Sequence, residues 1–382
     1  MRFVILAALT GTLLVACSSA PSAGSERPKV ELDPSSPLTS QMKRSQLQLL
    51  TDFSGFQRQI VAASNEVVLM SPEIPPPNEW RSLVASWNVE LPPDGHLKIE
   101  ARCIYPDHMT KFYVLGLWSK DSARHPRESV VKQKDADGDV HTDTLVLNQP
   151  GPKLQLRLTL GGSLPKLKLI TLSFLDPKAA PLTLEPNRTA WGKSVLVPER
   201  SQVTYEAEGG KGWCSPTSLS MVLASWADRL KRPELDIAIP VVARSVFDRN
   251  WPGTGNWPFN TAFAGAFPGM RAYVSRLDNI VELEDWIVAG IPVIISAPYQ
   301  LLGDQESGSG HGHVVICTGF TETGDVIVHD PWARLETGQK VRRIYQRNNV
   351  IKAWATSENT VYLIYPESAT IPANHYGHWE AH

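Results

Sequence analysis

The sequence predicts an α+β protein, with an antiparallel β-sandwich in the N-terminal half and a mixed α and β domain behind it. Three observations carry this: strict period-two runs between Trp80 and Phe174, a buried-helix pattern over Thr217 to Leu230, and short apolar strand candidates after it. A chain of 382 residues can bury more than one core and is most simply read as two domains.

Met1-Arg2 is a short positive start, and Phe3 to Ala16 is apolar or small apart from Thr10 and Thr12. That length suits an export signal over residues 1–16 better than a membrane span. Leu14-Val15-Ala16-Cys17 resembles the lipobox of bacterial lipoproteins, which implies lipidation of Cys17 and a membrane anchor. Ser18 resembles the following residue of lipoproteins sorted to the outer membrane, so the expected location is the cell envelope, on the periplasmic face. An ordinary secretory signal with an incidental cysteine is the alternative. Residues 17–40, rich in Ser, Pro, Gly and charge, read as a flexible tether.

The sandwich is expected over 41–180. Met42 to Asn65 mixes polar residues with Leu47, Phe53, Phe56 and Ile60, and fits either a strand or a helical segment. Leu97 to Cys103, Lys111 to Trp118 and Leu154 to Leu160 alternate as half-buried strands do, with Pro92-Pro93-Asp94-Gly95 and Asp137-Gly138 as turns. Asp135, Asp137 and Asp139 imitate a calcium loop but lack the remaining oxygen ligands, so a solvated hairpin is expected and no metal site is assigned. Trp80, Trp87 and Trp118 are expected in a core or its rim; a saccharide-binding face is the alternative.

A proline-bearing linker over 181–198 leads to the second domain, 199–366, followed by a C-terminal tail over 367–382. Val281 to Ala289 reads as a helix stopped by Gly290, Ile291 to Ser296 as a strand, and His313 to Thr318 and Asp325 to His329 as short strands.

A hydrophobic content of 42%, a charged content of 20% and a net charge of -2 fit a globular protein and speak against nucleic acid as a partner. Without Cys17, Cys103, Cys214 and Cys317 remain. An odd number leaves one thiol free unless another chain supplies a partner. Cys214 is the expected free thiol, and apolar strand surroundings suit Cys103 and Cys317 to the core.

Cys214 stands where Gly212-Trp213-Cys214-Ser215-Pro216 meets the helical run, and Pro216 is compatible with a first helical turn. Unpaired amides and the helix dipole there favour a thiolate. His313 opens a strand in Gly312-His313-Val314-Val315-Ile316 and is the expected proton-transfer partner; His311, in a glycine-rich loop, is less securely placed. Asp330 follows a strand and precedes Pro331-Trp332, where it can accept from His313 and fix its tautomer. An Asp-Pro turn without catalytic purpose is the bland reading.

Gly212 to Ser218, Gly312 to Val315 and Asp330-Pro331-Trp332 together resemble the C39-like branch of papain-fold cysteine peptidases, over about residues 195 to 365. The resemblance implies a Cys214-His313-Asp330 triad, a helix packed beside an antiparallel sheet, and no cofactor. The β-rich half is similar to the accessory domain of bacterial C39-like proteins. Gln202 is the nearest match to the family's oxyanion glutamine, if the Glu206 to Lys211 insertion loops out; a surface glutamine is the alternative.

Trp213, Trp251, Asn256, Trp257 and Trp332 are candidate substrate-binding residues, because shaped loops between Asn250 and Asn260 offer apolar walls and amide contacts. The same loops can merely close a core. The expected function is extracytoplasmic hydrolysis of an amide in a peptide or cell-envelope substrate by a lipid-anchored enzyme. Non-catalytic binding or scaffolding and cysteine-dependent acyl transfer are the competing readings.

Overall fold

In the first half, alternation of apolar and polar residues becomes a sandwich of two antiparallel sheets. The computed structural model describes residues 44–61, 63–64, 66–77, 79–163, 165–303 and 312–381. The expected signal, the lipidation site Cys17, the tether and His311 lie outside the described residues.

One sheet orders its strands β1-β10-β4-β8-β7 and the other β2-β3-β9-β5-β6. The strands are β1 (Ser45–Leu50), β2 (Gln57–Val61), β3 (Glu66–Met70), β4 (Ser82–Glu90), β5 (His96–Cys103), β6 (Tyr113–Ser119), β7 (Gly138–His141), β8 (Thr144–Leu147), β9 (Leu154–Gly161) and β10 (Lys166–Leu175). Along β9, Leu154, Leu156, Leu158 and Leu160 are buried, while Gln155, Arg157 and Thr159 between them are partly exposed. The ambiguous early segment forms β1 and β2. Asp135 stands in the turn that leads into β7, ahead of the β7–β8 hairpin, accepting from the Asp137 and Gly138 N–H groups.

The second half is a six-stranded antiparallel sheet ordered β11-β16-β12-β13-β14-β15. Its strands are β11 (Met270–Arg276), β12 (Val293–Ser296), β13 (Val314–Phe320), β14 (Val326–His329), β15 (Arg342–Tyr345) and β16 (Thr360–Pro366). The helices are α1 (Cys214–Leu230), α2 (Ile239–Val246), α3 (Trp257–Gly265), α4 (Ile280–Val288), α5 (Tyr299–Leu302) and α6 (Arg347–Ala355). Helix α1 begins at Cys214, ahead of the apolar run, because Pro216 fits its first turn. It packs against β13 and β16 and against α2 and α3, so Ser215 to Ala227 are all buried. Its polar positions bond backbone accordingly: Ser220 Oγ donates to Ile237 O and Ser225 Oγ to Leu196 O.

Strand β4 breaks the alternation, with Ser82 to Val89 buried on both faces. It lies between β10 and β8 in its own sheet, and its polar residues meet β11, the edge of the mixed sheet. Asn88 Nδ2 donates to Ala272 O at 2.6 Å, and Asn88 Oδ1 accepts from Ala272 N at 3.1 Å. Ser86 Oγ accepts from Val274 N at 2.9 Å. Side chains thus occupy the backbone groups that an unpaired edge strand would present to another chain. A Cβ at Gly265 would fall 2.1 Å from the Asn88 amide, so only glycine lets α3 pass at this separation. Trp87 and Trp118 set their rings 6.0 and 5.3 Å from Phe259 of α3, and Trp80 packs on Phe174. These three tryptophans serve the core.

Residues 42–382 consequently form one compact unit. The stretch expected as a linker is docked: Glu284 accepts from Asn187 N and Trp191 Nε1, which fixes 187–191 on α4. The C-terminal tail is docked as well, with Trp379 against Trp286 and His378 Nδ1 within 2.6 Å of Glu282. Cys103 and Cys317 are buried and unpaired.

Removing the Asn88 side chain leaves the Ala272 N–H and C=O without partners, at about 1–3 kcal/mol for each buried group. Asn88→Ala is therefore expected to lower the urea midpoint of the whole 42–382 unit, followed by tryptophan fluorescence. An unchanged midpoint would show that the joint does not need this pairing.

Candidate active site

Three elements bring the candidate triad together. Cys214 opens α1, and Ser218, one turn on, donates to Val314 O at 3.4 Å, tying the helix to the residue after His313. Ser215 Oγ is paired with Tyr362 Oη at 2.9 Å on β16, and Trp226 Nε1 donates to Ile364 O, so both ends of the helix are held on the sheet. His313 immediately precedes β13, and its C=O accepts from Ala297 N. Asp330 follows β14, with its own N–H donated to Val341 O.

His313 Nε2 lies 2.9 Å from Asp330 Oδ1. Nδ1 is the ring nitrogen left for Cys214, whose side chain contributes to raising the imidazole pKa. Burial alone would push the His313 pKa down, but the charge and hydrogen bond of Asp330, followed by the sulfur, reverse this and raise it to about 10. Cys214 is partly exposed, whereas His313 is 7% and Asp330 0% exposed. The sulfur is the part of this constellation open to a substrate.

Asp330 is saturated with donors. Oδ1 also accepts from Trp332 N at 2.8 Å, and Oδ2 accepts from Tyr345 Oη at 2.8 Å and Arg343 Nη1 at 3.1 Å. Burial opposes its charge, yet the His313 charge and hydrogen bond, Arg343 and the Trp332 amide hold the carboxyl below the usual carboxylate range. Arg343 also reaches Trp332 O and Tyr299 Oη, and the Tyr299 ring stands edge-on to His313 at 5.7 Å. Sequence reasoning missed Arg343, Tyr345 and Tyr299. The available signal was the i, i+2 spacing of Arg343 and Tyr345, which puts both on one face of β15.

Gln202 is 1% exposed and stitched to the same region, its N–H donating to Pro331 O. Its Nε2 donates to Gly210 O at 2.8 Å and Lys211 O at 2.9 Å. Both amide hydrogens are engaged by carbonyls of the turn before Cys214, so Gln202 braces that turn and does not aim a donor at an oxyanion in this conformation. The backbone N–H groups of Cys214 and Ser215, in the first turn of α1, have no acceptor within the helix.

The candidate binding residues divide. Trp213 lines an open cavity of about 560 Å³, together with Pro252, Gly253 and Thr254. Trp251, 45% exposed, lies over the glycines of that loop. Trp332 flanks Asp330, with Arg334 5.3 Å above its ring. One expectation is corrected. Asn256, 1% exposed, caps α3 by accepting from Phe259 N and donating to Asp248, so its amide is spent on the fold. Trp257, in the first turn of α3, donates its backbone N–H to the buried Asp143 of the sandwich, and its partly exposed ring packs against the core.

A depressed carboxyl stabilises the fold fully above its unfolded value of about 3.9 and loses that contribution as pH falls through the folded value. His313 has the opposite sign: its contribution is full below about 6.5 and is lost as pH rises through about 10. Arg343→Met raises the folded Asp330 pKa, so the acid unfolding midpoint should move to higher pH in a fluorescence titration. An unmoved midpoint would exclude Arg343 as a support of the charge. Under native conditions, among Cys103, Cys214 and Cys317, iodoacetamide should modify Cys214 alone by peptide mass mapping. Modification of either buried cysteine at a similar rate would contradict the packing.

Two family profiles match the chain: the Peptidase C39 N-terminal domain over residues 51–169 and the Peptidase_C39 like family over residues 196–362. No curated protein matches it. The first match falls on the sandwich and the second runs from just before Gln202 through Cys214, His313 and Asp330 to β16. The chain belongs to the C39-like peptidases, as an α+β papain-like domain behind an N-terminal accessory domain of the C39 type.

Proposed function

We propose that the protein is a cysteine peptidase or amidase that hydrolyses an amide bond in a peptide or cell-envelope substrate. The single observation supporting this most strongly is that one buried imidazole is shared between the Asp330 carboxylate and the partly exposed Cys214 sulfur. A coherent reaction follows from it. The reaction begins with His313 and Cys214 as an imidazolium and thiolate pair, and the sulfur attacks the carbonyl carbon. The Cys214 backbone N–H stabilises the oxyanion, in a position where Gln202 offers no free donor. The imidazolium then protonates the leaving amine as the C–N bond breaks, giving a thioester. Water, deprotonated by His313, attacks this thioester; the acid departs and the imidazolium–thiolate pair is restored. Asp330 keeps the ring oriented and its charge balanced throughout.

The leader and lipobox-like Leu14 to Cys17 support placement outside the cytoplasm, with Cys17 lipidated and the enzyme anchored on the periplasmic side of an outer membrane.

The test incubates purified mature protein with envelope peptides and small amides under reducing conditions and weighs the products. Addition of one water across an amide is expected. It should be abolished in Cys214→Ala and lowered by roughly 10²–10⁴-fold in Asp330→Asn. Hydrolysis that persists in Cys214→Ala would refute the nucleophile. Transfer to an added amine in place of water would make the protein an acyltransferase, and binding without turnover would make it a binding module.

A further inference from the structure

The open cavity beside Trp213 lies where the sandwich meets the peptidase domain. Arg127 comes from the sandwich, Arg244 from the last turn of α2, and Glu208, Phe247 and Thr254 from the peptidase domain. Two sets of bonds close the junction around it. Asp248 Oδ1 accepts from Ser129 N, and Asn250 Nδ2 donates to Ser129 O. Thr254 Oγ1 donates to Gly212 O at 2.7 Å, so the cavity wall is fastened to the turn that carries Cys214.

Arg127 is unusual in this setting. It is 7% exposed, and its bonds run to neutral carbonyls: Nη2 to Arg244 O at 2.6 Å, Nε to Phe247 O at 3.3 Å and Nη1 to Ser119 O at 3.3 Å. A guanidinium has five N–H donors, so these three bonds leave two. No ion pair joins Arg127 to a carboxylate among the described residues; burial presses its pKa down, opposed by the charge of Asp121, and the guanidinium stands 5.8 Å from the Trp118 ring. Pinning the domains together accounts for the three bonds but not for a buried charge without a counterion, which is costly. Arg244 adds a second, exposed guanidinium to the lining, against the single exposed carboxylate of Glu208.

We infer that this cavity binds a carboxylate of the peptide substrate, held by Arg127 and Arg244, within a few residues of the amide presented to Cys214. The inference rests on the proposed peptidase reading for its substrate class. The accessory domain then selects substrate, because it supplies the buried cation. Bidentate guanidinium–carboxylate pairing supplies the selectivity. An extended peptide advances about 3.3–3.6 Å per residue, so a chain leaving the cavity along Gly212 and Trp213 reaches the sulfur within a few residues.

The experiment measures calorimetric binding to the full chain carrying Cys214→Ala, which separates recognition from turnover. Matched peptides carry Asp or Glu, or Asn or Gln, at each position around a fixed amide, with the C-terminus free or amidated. At one register the acidic peptide should bind at least about tenfold tighter than its amide counterpart, and added salt should erode the difference. The two arms tell a side-chain carboxylate from a terminal one. Arg244→Gln, at an exposed position, should cut the preference at least threefold, and Arg127→Met should abolish it. Where Arg127→Met loosens the junction, as reported by its urea midpoint, Arg244→Gln and the salt series carry the test. Equal affinity for acidic and neutral peptides at every register, no binding of any peptide, or a preference untouched by Arg244→Gln would overturn the inference. Absence of hydrolysis by the wild-type protein together with a retained, arginine-dependent preference would remove the peptidase reading and leave the anion site standing.

Discussion

A carboxylate withdrawn completely from water must be surrounded by donors, and meeting that demand for Asp330 organises the whole end of the sheet that carries the candidate triad. His313, the Trp332 amide, Tyr345 and Arg343 reach it from the start of β13, the turn after β14 and the face of β15. The four donors come from three different parts of the sheet, so the strand ends have little freedom to shift without stranding a charge. The orientation of His313 is a by-product of that closure, and the position of Cys214 is set in turn by α1 resting on β13 and β16.

The second constraint is the joint between β4 and β11. Amide and hydroxyl side chains complete the edge of one sheet from the face of another, and the aromatic cluster of Trp87, Trp118 and Phe259 lies beside them. Because the joint is dry and polar at once, it fixes register as well as proximity: moving β4 by one residue would turn Asn88 away from Ala272. The accessory domain is therefore held in one place relative to the loops around Trp213, which is what allows a sandwich residue to form part of a cavity wall there.

Much of this was legible in the sequence, and the remainder was hidden for identifiable reasons. Period two located β5, β6 and β9 because those strands have one buried and one wetter face; β4 escaped that pattern because both of its faces are covered. Cys214, His313 and Asp330 were readable because each stands at an element boundary with an apolar run beside it. Arg343 and Tyr345 were not, since an Arg-Arg-Ile-Tyr strand looks like an ordinary edge until the carboxylate behind it is known. Gln202 was found by position, but its amide turned to carbonyls that no linear spacing reveals. Asn256 was in the right segment for a cleft and was absorbed by helix capping. The burial of Arg127 depends on contacts across more than a hundred residues of chain, with Arg244 and Phe247.

The double coverage of β4 also bears on the order in which the chain is made. When the ribosome has released the sandwich, the residues that will cover its outer face, Phe259 to Val274, are still unmade, and Ser86 and Asn88 have only water or a chaperone to meet. The first half of the molecule is thus born with an adhesive flank, and its safety from aggregation depends on how quickly the second half arrives to cover it.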